Sequence, residues 1–379
     1  MTALHSPVAR RLFDGHDWHE TAALAHEDGR VTGVIPGGTP EVDLIVPGFV
    51  DLQVNGGGGV QFNDRTDAAG LAAICAAHRA LGTTTILATL ISDTAAKTAA
   101  ALAACAQARA AGQVGLAGLH LEGPHLDPRR KGTHAPQMLR PMDETDLSGM
   151  IAGAAACGRL VVTLAPEAAT TAQVARLAAA GITVSLGHSD CSHATAMAYV
   201  AAGARMVTHL FNAMSQMGHR APGLVGAALD AGGLSCGLIA DGHHVDDAAM
   251  AIALRAKRGP GQVFLVSDAM AATGSELSEI TLNGRRILRA GGRLTLEDGT
   301  LAGADISMLD AVRHCVTALE LPLGQALRMA TTAPAEAAGL TGVGRLVPGA
   351  RADFLVLDAA LALGAVWTGG QRAAAGAAA

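Results

Sequence analysis

A chain of 379 residues has room for one large domain with a small companion, or for two of moderate size. Its net charge of −6, with no basic stripe along any segment, argues against a nucleic-acid partner, and half of the chain is apolar but only 2% aromatic, which suits helices packed on a sheet better than a tyrosine-rich β-sandwich. No apolar stretch is long enough to span a bilayer, and Arg10, Arg11, Asp14 and Asp17 stand where a secretory peptide needs an apolar run, so a cytoplasmic protein without a membrane partner is expected.

The first forty residues carry short strand signals and no motif. From about Val42 the pattern alternates. The strand-like runs are Leu44–Leu52, Thr83–Leu90, Val114–Leu121, Leu160–Leu164, Ile182–Leu186, Met206–Thr208, Leu234–Ala240 and Val263–Ser267. Between them lie Ala-rich helical stretches such as Ala68–Leu81, Thr94–Ala111, Ala172–Ala180, His193–Ala202 and Asp246–Ala256. Strands separated by helices pair in parallel, because a parallel partner needs a long crossover. Eight of them predict a closed (β/α)8 barrel of TIM type. An open doubly wound sheet would need a Gly-rich dinucleotide loop, and Gly56–Gly59 lacks that spacing. Residues Glu279–Leu301, with turn signals at Asn283-Gly284 and Asp298-Gly299, predict an inserted β-hairpin. Val347–Asp353 reads as a turn leading into a strand, Phe354–Leu357. The terminal pieces, 1–46 and 344–379, are therefore expected to form one small, discontinuous β-sandwich domain beside a hydrolase barrel spanning 47–343, with the tail from 373 frayed. The six cysteines form no CxxC pair and read as buried, reduced thiols.

The chemistry lies where the strands end. One run ends on Glu122, others on His188 and His209, and another on Asp268. Alone, a histidine after a strand is more often packed or solvated, and an aspartate there is more often a helix cap. Four together are different, since the C-terminal rim of a barrel brings them into one cup. Two neutral imidazoles and one carboxylate suit a catalytic divalent ion with an open water position. A free carboxylate beside it can take a proton from that water and give it to a leaving group.

The run Pro47–Gly56 looks like the first strand of the amidohydrolase superfamily. His120-Leu-Glu-Gly-Pro124, Lys131-Gly-Thr-His134, Leu164-Ala-Pro-Glu167, Gly187-His-Ser189, Thr208-His-Leu-Phe-Asn-Ala-Met214, Ala221-Pro-Gly223, Ile239-Ala-Asp-Gly242 and Val266-Ser-Asp-Ala269 follow in order. Together, from about residue 47 to 357, they resemble the N-acetylglucosamine-6-phosphate deacetylase family. The resemblance implies a hydrolase that releases acetate from that sugar phosphate. Glu122, His188 and His209 would bind the metal, Asp268 would act as general base and then acid, and His134 would stabilise the oxyanion. Asn212, Ala213 and Met308 would contact the sugar phosphate. Arg220 and His244 would reach the phosphate from the neighbouring subunit of a homodimer. Apart from the resemblance, His120, two residues before Glu122, shares its face of the strand, where either a hydrogen bond supporting that ligand or simple packing is expected.

The superfamily's HxH at the end of the first strand is replaced here by Gln53 and Asn55. Amides are poor ligands for a transition metal, so one divalent ion per subunit is expected, zinc first, with iron and cobalt as alternatives. Gln53 and Asn55 are then expected to hydrogen-bond water or Asp268. Two other readings compete. One is a deacetylase of a related N-acyl amino-sugar phosphate such as the galacto epimer. The other is a non-catalytic regulator on the same scaffold, which would be expected to have lost Asp268 or a metal ligand.

Overall fold

The structure, a computed structural model, describes residues 4–373. Its core is the expected barrel. The eight strands are β1 (Phe49–Val54), β2 (Thr83–Ile91), β3 (Leu116–Glu122), β4 (Arg159–Leu164), β5 (Thr183–Leu186), β6 (Met206–Val207), β7 (Ser235–Leu238) and β8 (Val263–Leu265). Each pairs in parallel with the next in chain order. A parallel bridge between Val54 and Ala269 closes the ring, and the amides of Asn55 and Gly56 both donate to the Ala269 carbonyl, at 2.8 and 3.0 Å. Every residue of β1 and β2 is buried, as a strand covered on both faces demands.

Helices cover the outside: α1 (Ala68–Ala80), α2 (Ala95–Ala110), α3 (Glu144–Cys157), α4 (Thr171–Ala179), α5 (His193–Ala202), α6 (Gly223–Asp230), α7 (Asp247–Ala256) and α8 (Met308–Thr317). Their starts are written in the sequence. Asp67, Thr94, Ser192 and Asp246 each cap a helix with a side-chain oxygen, and Asp143, Thr170 and Ser307 form full capping boxes. These caps sit in the loops after the strands, at the same rim as the site, and fix where each loop must end. No described helix is long and apolar enough to cross a membrane, and all six cysteines are buried free thiols.

Two details differ from the sequence reading. The run Leu44–Leu52 is two strands, not one: Val42–Pro47 belongs to the terminal sheet and β1 starts at Phe49. Gly48 is the break, because a Cβ there would lie 2.2 Å from Thr84 Oγ1. The insertion is also more than a hairpin. It is a four-stranded antiparallel sheet, Glu279–Leu282, Arg285–Ala290, Arg293–Leu296 and Leu301–Ala304, with an unanticipated turn at Gly291-Gly292.

Both chain ends build a second sheet of eight strands. Val42–Pro47 pairs with Ala9–Phe13 on one side and with Phe354–Leu357 on the other. Its own core holds Leu12, Leu24, Ile45 and Phe354. Residues 1–3 and 374–379, including the tail expected to fray, lie outside the described residues.

Candidate active site

Glu122 is the last residue of β3. His188 follows β5 after Gly187, whose Cβ would come within 3.0 Å of both Thr163 and Thr208. His209 and Asp268 lie just past β6 and β8. The φ angles of His188, His209 and Asp268 are 47°, 30° and 50°. Left-handed backbone at a non-glycine residue costs about 1–3 kcal/mol. Here it turns each side chain out of its strand line and into the barrel mouth.

Three atoms converge there. Glu122 Oε1 lies 3.1 Å from His188 Nε2 and 3.0 Å from His209 Nε2, and the two nitrogens are 3.0 Å apart. All three side chains are buried. Ligand atoms held about 2.1 Å from one ion have mutual distances of this size. The tautomer of His188 agrees, since its Nδ1 donates to the Arg130 carbonyl at 2.8 Å and Nε2 is left with its lone pair. One atom each of Glu122, His188 and His134 also fall within 4.8 Å of one another. The triangle with His209 is tighter, and His134 has another task. The Ser92 amide donates to His134 Nδ1 at 3.3 Å and the Ser92 hydroxyl is 2.7 Å from the same atom. An amide only donates, so Nδ1 accepts and Nε2 carries the proton. The residues present therefore fit a divalent ion on Glu122, His188 and His209, with His134 as a neutral donor.

Burial works to raise the pKa of Glu122, but the hydrogen bonds and charges of His188 and His209 outweigh it and hold the carboxyl well below its usual range. Burial lowers the pKa of His209, but the hydrogen bond and charge of Glu122, together with the charge of Asp268, outweigh it and the pKa is raised. Asp268 is pushed up to about 6 by burial and then by the charge of Glu122, against the pull of His209 and a hydrogen bond from Asn55. His134 is pushed down to about 3 by burial and by His188.

Asp268 is held on one oxygen by two amides: Asn55 Nδ2 donates at 2.7 Å and Gln53 Nε2 at 3.1 Å. Gln53 also reaches Glu122 Oε1 at 3.3 Å. His120 points into the barrel, where Nδ1 donates to the Leu52 carbonyl at 3.0 Å and Nε2 accepts from Thr163 at 2.6 Å. It does not touch Glu122 through a hydrogen bond among the described residues. The Thr163 hydroxyl continues to Thr208 and Ser185, each step 2.6 Å, so a chain of hydroxyls lies beneath the ligand cluster.

A cavity of about 210 Å³ opens over the cluster. Asn55, Glu122, His134, His188, His209 and Asp268 form its floor, and Asn212, Ala213 and His244 part of its wall. His244 is oriented by Asp241, whose carboxylate sits 2.6 Å from Nδ1. Arg220 is exposed on the loop before α6 and is not among the residues that line the cavity of the single chain. Met308 is fully buried at the start of α8, also outside the lining.

The sequence reading missed the rest of the wall. Gly132 and Thr133 come from the loop after β3, Met270 from beyond β8, and Thr300, Leu301 and Gly303 from the inserted sheet. Arg285 of that sheet donates to the Thr133 carbonyl and ties the sheet to the loop. Only the Lys131-Gly-Thr-His134 motif hinted at Thr133. Ser92 carried no signal, because a serine ending a strand is also an ordinary turn residue.

The Amidohydrolase family profile matches residues 44–374. The chain is 39% identical over 327 residues, 86% of its length and 82% of the relative's, to the N-acetylgalactosamine-6-phosphate deacetylase of Shewanella sp. (strain ANA-3). It is 33% identical to the N-acetylglucosamine-6-phosphate deacetylase of Vibrio furnissii, covering 97% of this chain and 94% of that one. Among solved structures, an aspartate-to-alanine mutant of N-acetyl-D-glucosamine-6-phosphate deacetylase from Mycobacterium smegmatis, in complex with N-acetyl-D-glucosamine-6-phosphate, superposes with a TM-score of 0.90 at 32% identity, covering 98% of this chain and 99% of that one. By these matches, which span nearly its whole length, the chain belongs to the amidohydrolase family and, within it, to the deacetylases of N-acetylhexosamine 6-phosphates.

Proposed function

We propose that the protein hydrolyses N-acetylglucosamine-6-phosphate to glucosamine-6-phosphate and acetate. The observation that carries this reading is a half-buried carboxylate, Asp268, held by Asn55 and Gln53 and facing the same cavity as the Glu122–His188–His209 cluster and the His134 donor. A divalent ion on that cluster supplies, when bound, a more acidic water and a polarised acetyl carbonyl. The attacking water gives its proton to Asp268, which is largely ionised at neutral pH with a pKa of about 6. As the amide C–N bond breaks, Asp268 passes that proton to the departing amine. His134 Nε2–H points its dipole at the oxygen on which charge develops. The galacto epimer is a second reading, favoured by the 39% and 35% identical relatives named for N-acetylgalactosamine-6-phosphate. Acetate release from both phosphorylated epimers, with unphosphorylated sugar as control, is the test. No turnover of either phosphorylated sugar by metal-loaded enzyme would overturn the reading.

His134→Ala is expected to lower kcat by about 10²–10³-fold, with metal content unchanged. Loss of the metal would instead make His134 a ligand.

We infer one ion per subunit, zinc in preference to iron or cobalt. Gln53 and Asn55 are neutral amides already engaged by Asp268, which leaves a second dication only those amides and a shared Asp268, a poor set with too little negative charge to offset repulsion from the first. Elemental analysis after metal addition and removal of the unbound excess should give one equivalent; two, with activity following the second, would be incompatible.

The exposure of Arg220 fits a role across a homodimer interface, with His244 completing the phosphate site. Arg220→Ala should raise KM for the phosphorylated sugar far more than it lowers kcat. Heterodimers of Arg220→Ala and Asp268→Asn subunits should regain activity, because one of their two sites is intact. Verified heterodimers that keep the raised KM of Arg220→Ala would place Arg220 in its own subunit's site.

A further inference from the structure

A second polar cleft, of about 440 Å³, opens at the opposite end of the barrel, where the strands begin. Arg109 from the last turn of α2, Arg159 at the start of β4 and Arg351 from the terminal segment line it, together with Thr85. The backbone seats two of these guanidinium groups. Arg109 Nη1 donates to the carbonyls of Leu116 and Ala117 at 3.3 and 3.1 Å, and Arg159 Nη2 donates to that of Gly339. Glycines make the room. A Cβ on Gly158 would come within 2.4 Å of Arg109 Cζ, and one on Gly339 within 3.3 Å of Arg159 Cζ.

The charges are not balanced. Arg351 pairs with Asp353 at 3.0 Å, but among the described residues neither Arg109 nor Arg159 has a carboxylate partner. Three cations therefore share a cleft with one anion. Thr85 is 4% exposed, and its hydroxyl has no hydrogen-bond partner among the described residues. A buried donor left unmade costs about 1–3 kcal/mol, and unpaired guanidinium forks match the oxygens of a phosphate. We propose that this cleft binds a phosphate-bearing anion, held by Arg109 and Arg159 with Arg351 at its edge. It is distinct from the catalytic cavity: β3 runs from Leu116 in the cleft to Glu122 at the ligand cluster, about 20 Å at the rise of an extended strand. An anion there ties the end of α2 to the starts of β3 and β4 and to the loop at Gly339.

The test uses the metal-loaded protein. Crystals of the wild type soaked in inorganic phosphate should show tetrahedral density between Arg109 and Arg159. A parallel soak in glucosamine-6-phosphate separates the two sources of the same group: an ordered sugar attached to the density assigns the cleft to sugar phosphates, and density only in the first soak assigns it to the free ion. In solution, Arg109→Gln/Arg159→Gln should lose the larger part of the phosphate-dependent rise in Tm. Arg109→Lys keeps the charge over the strand carbonyls but loses the fork, and its affinity for inorganic phosphate should fall about tenfold. Both proteins should keep wild-type kcat on the sugar phosphate in phosphate-free buffer, since none of the three arginines lines the catalytic cavity. A cleft empty after the phosphate soak, or wild-type phosphate affinity in Arg109→Lys, overturns the proposal.

Discussion

Asp268→Asn should lower kcat by about 10²–10⁴-fold and leave metal content and fold untouched. The substituted side chain is nearly the same size and keeps an oxygen to accept from Asn55 Nδ2 and Gln53 Nε2, now at 2.7 and 3.1 Å from the carboxylate. What it loses is the proton relay. An amide cannot take the proton of water near neutral pH or return it to an amine. In the proposed mechanism Asp268 acts on the reacting bond and not on the phosphate, so KM should move little. Turnover assays beside elemental analysis on one protein sample decide the matter. Near-normal kcat would remove Asp268 from its role, and loss of metal together with activity would make it a ligand instead.

Glu122→Gln attacks the other half of the machinery. The carboxylate is the one anion in the cluster, with Oε1 3.1 Å from His188 Nε2 and 3.0 Å from His209 Nε2. With an amide in its place, the ion faces three neutral ligands in a buried pocket, where an uncompensated dication is costly. Metal affinity should fall by more than about 100-fold, beyond the usual cost of losing a hydrogen bond behind a ligand. Activity should fall with it and return in part at high added metal. Protein that retains one equivalent through gel filtration would exclude Glu122 as a ligand. The circular dichroism spectrum should stay that of the wild type, because β3 is held by its neighbours on both sides through its last residue.

Glu122, His188, His209 and Asp268 were legible because a barrel converts one-dimensional position into a common location. Any polar residue at a strand end arrives at the same rim, whatever its distance along the chain. The helices were legible through their caps, although Gly149 and Gly153 weaken the periodic signal of α3. Contacts between loops had no comparable code. Ser92 meets His134 across 42 residues, and nothing in either motif states the pairing. The inserted sheet announced two of its turns through Asn283-Gly284 and Asp298-Gly299. That its last strand would bring Leu301 and Gly303 to the cavity depends on how it docks on the barrel, a tertiary matter. Arg220 and Met308 show the reverse. A family resemblance placed them at the substrate, while the single chain leaves one on the surface and buries the other.

The pairing of Val42–Pro47 with Phe354–Leu357 has a consequence for how the protein is made. Pro47 sits opposite Phe354, and Leu44 opposite Leu357. On a ribosome, the early strand emerges long before its partner exists and waits while the whole barrel is synthesised, a delay of about 300 residues or some tens of seconds. During that time Ile45 and Val46, wholly buried in the finished protein, have an open sheet edge beside them. A message truncated after residue 343 would encode every ligand, Asp268 and all eight barrel strands, yet strand those residues uncovered for good. Such a fragment should be recovered with chaperones or in aggregates, while a chain ending after Thr368 supplies both Phe354–Leu357 and Leu363–Thr368, the next strand outward.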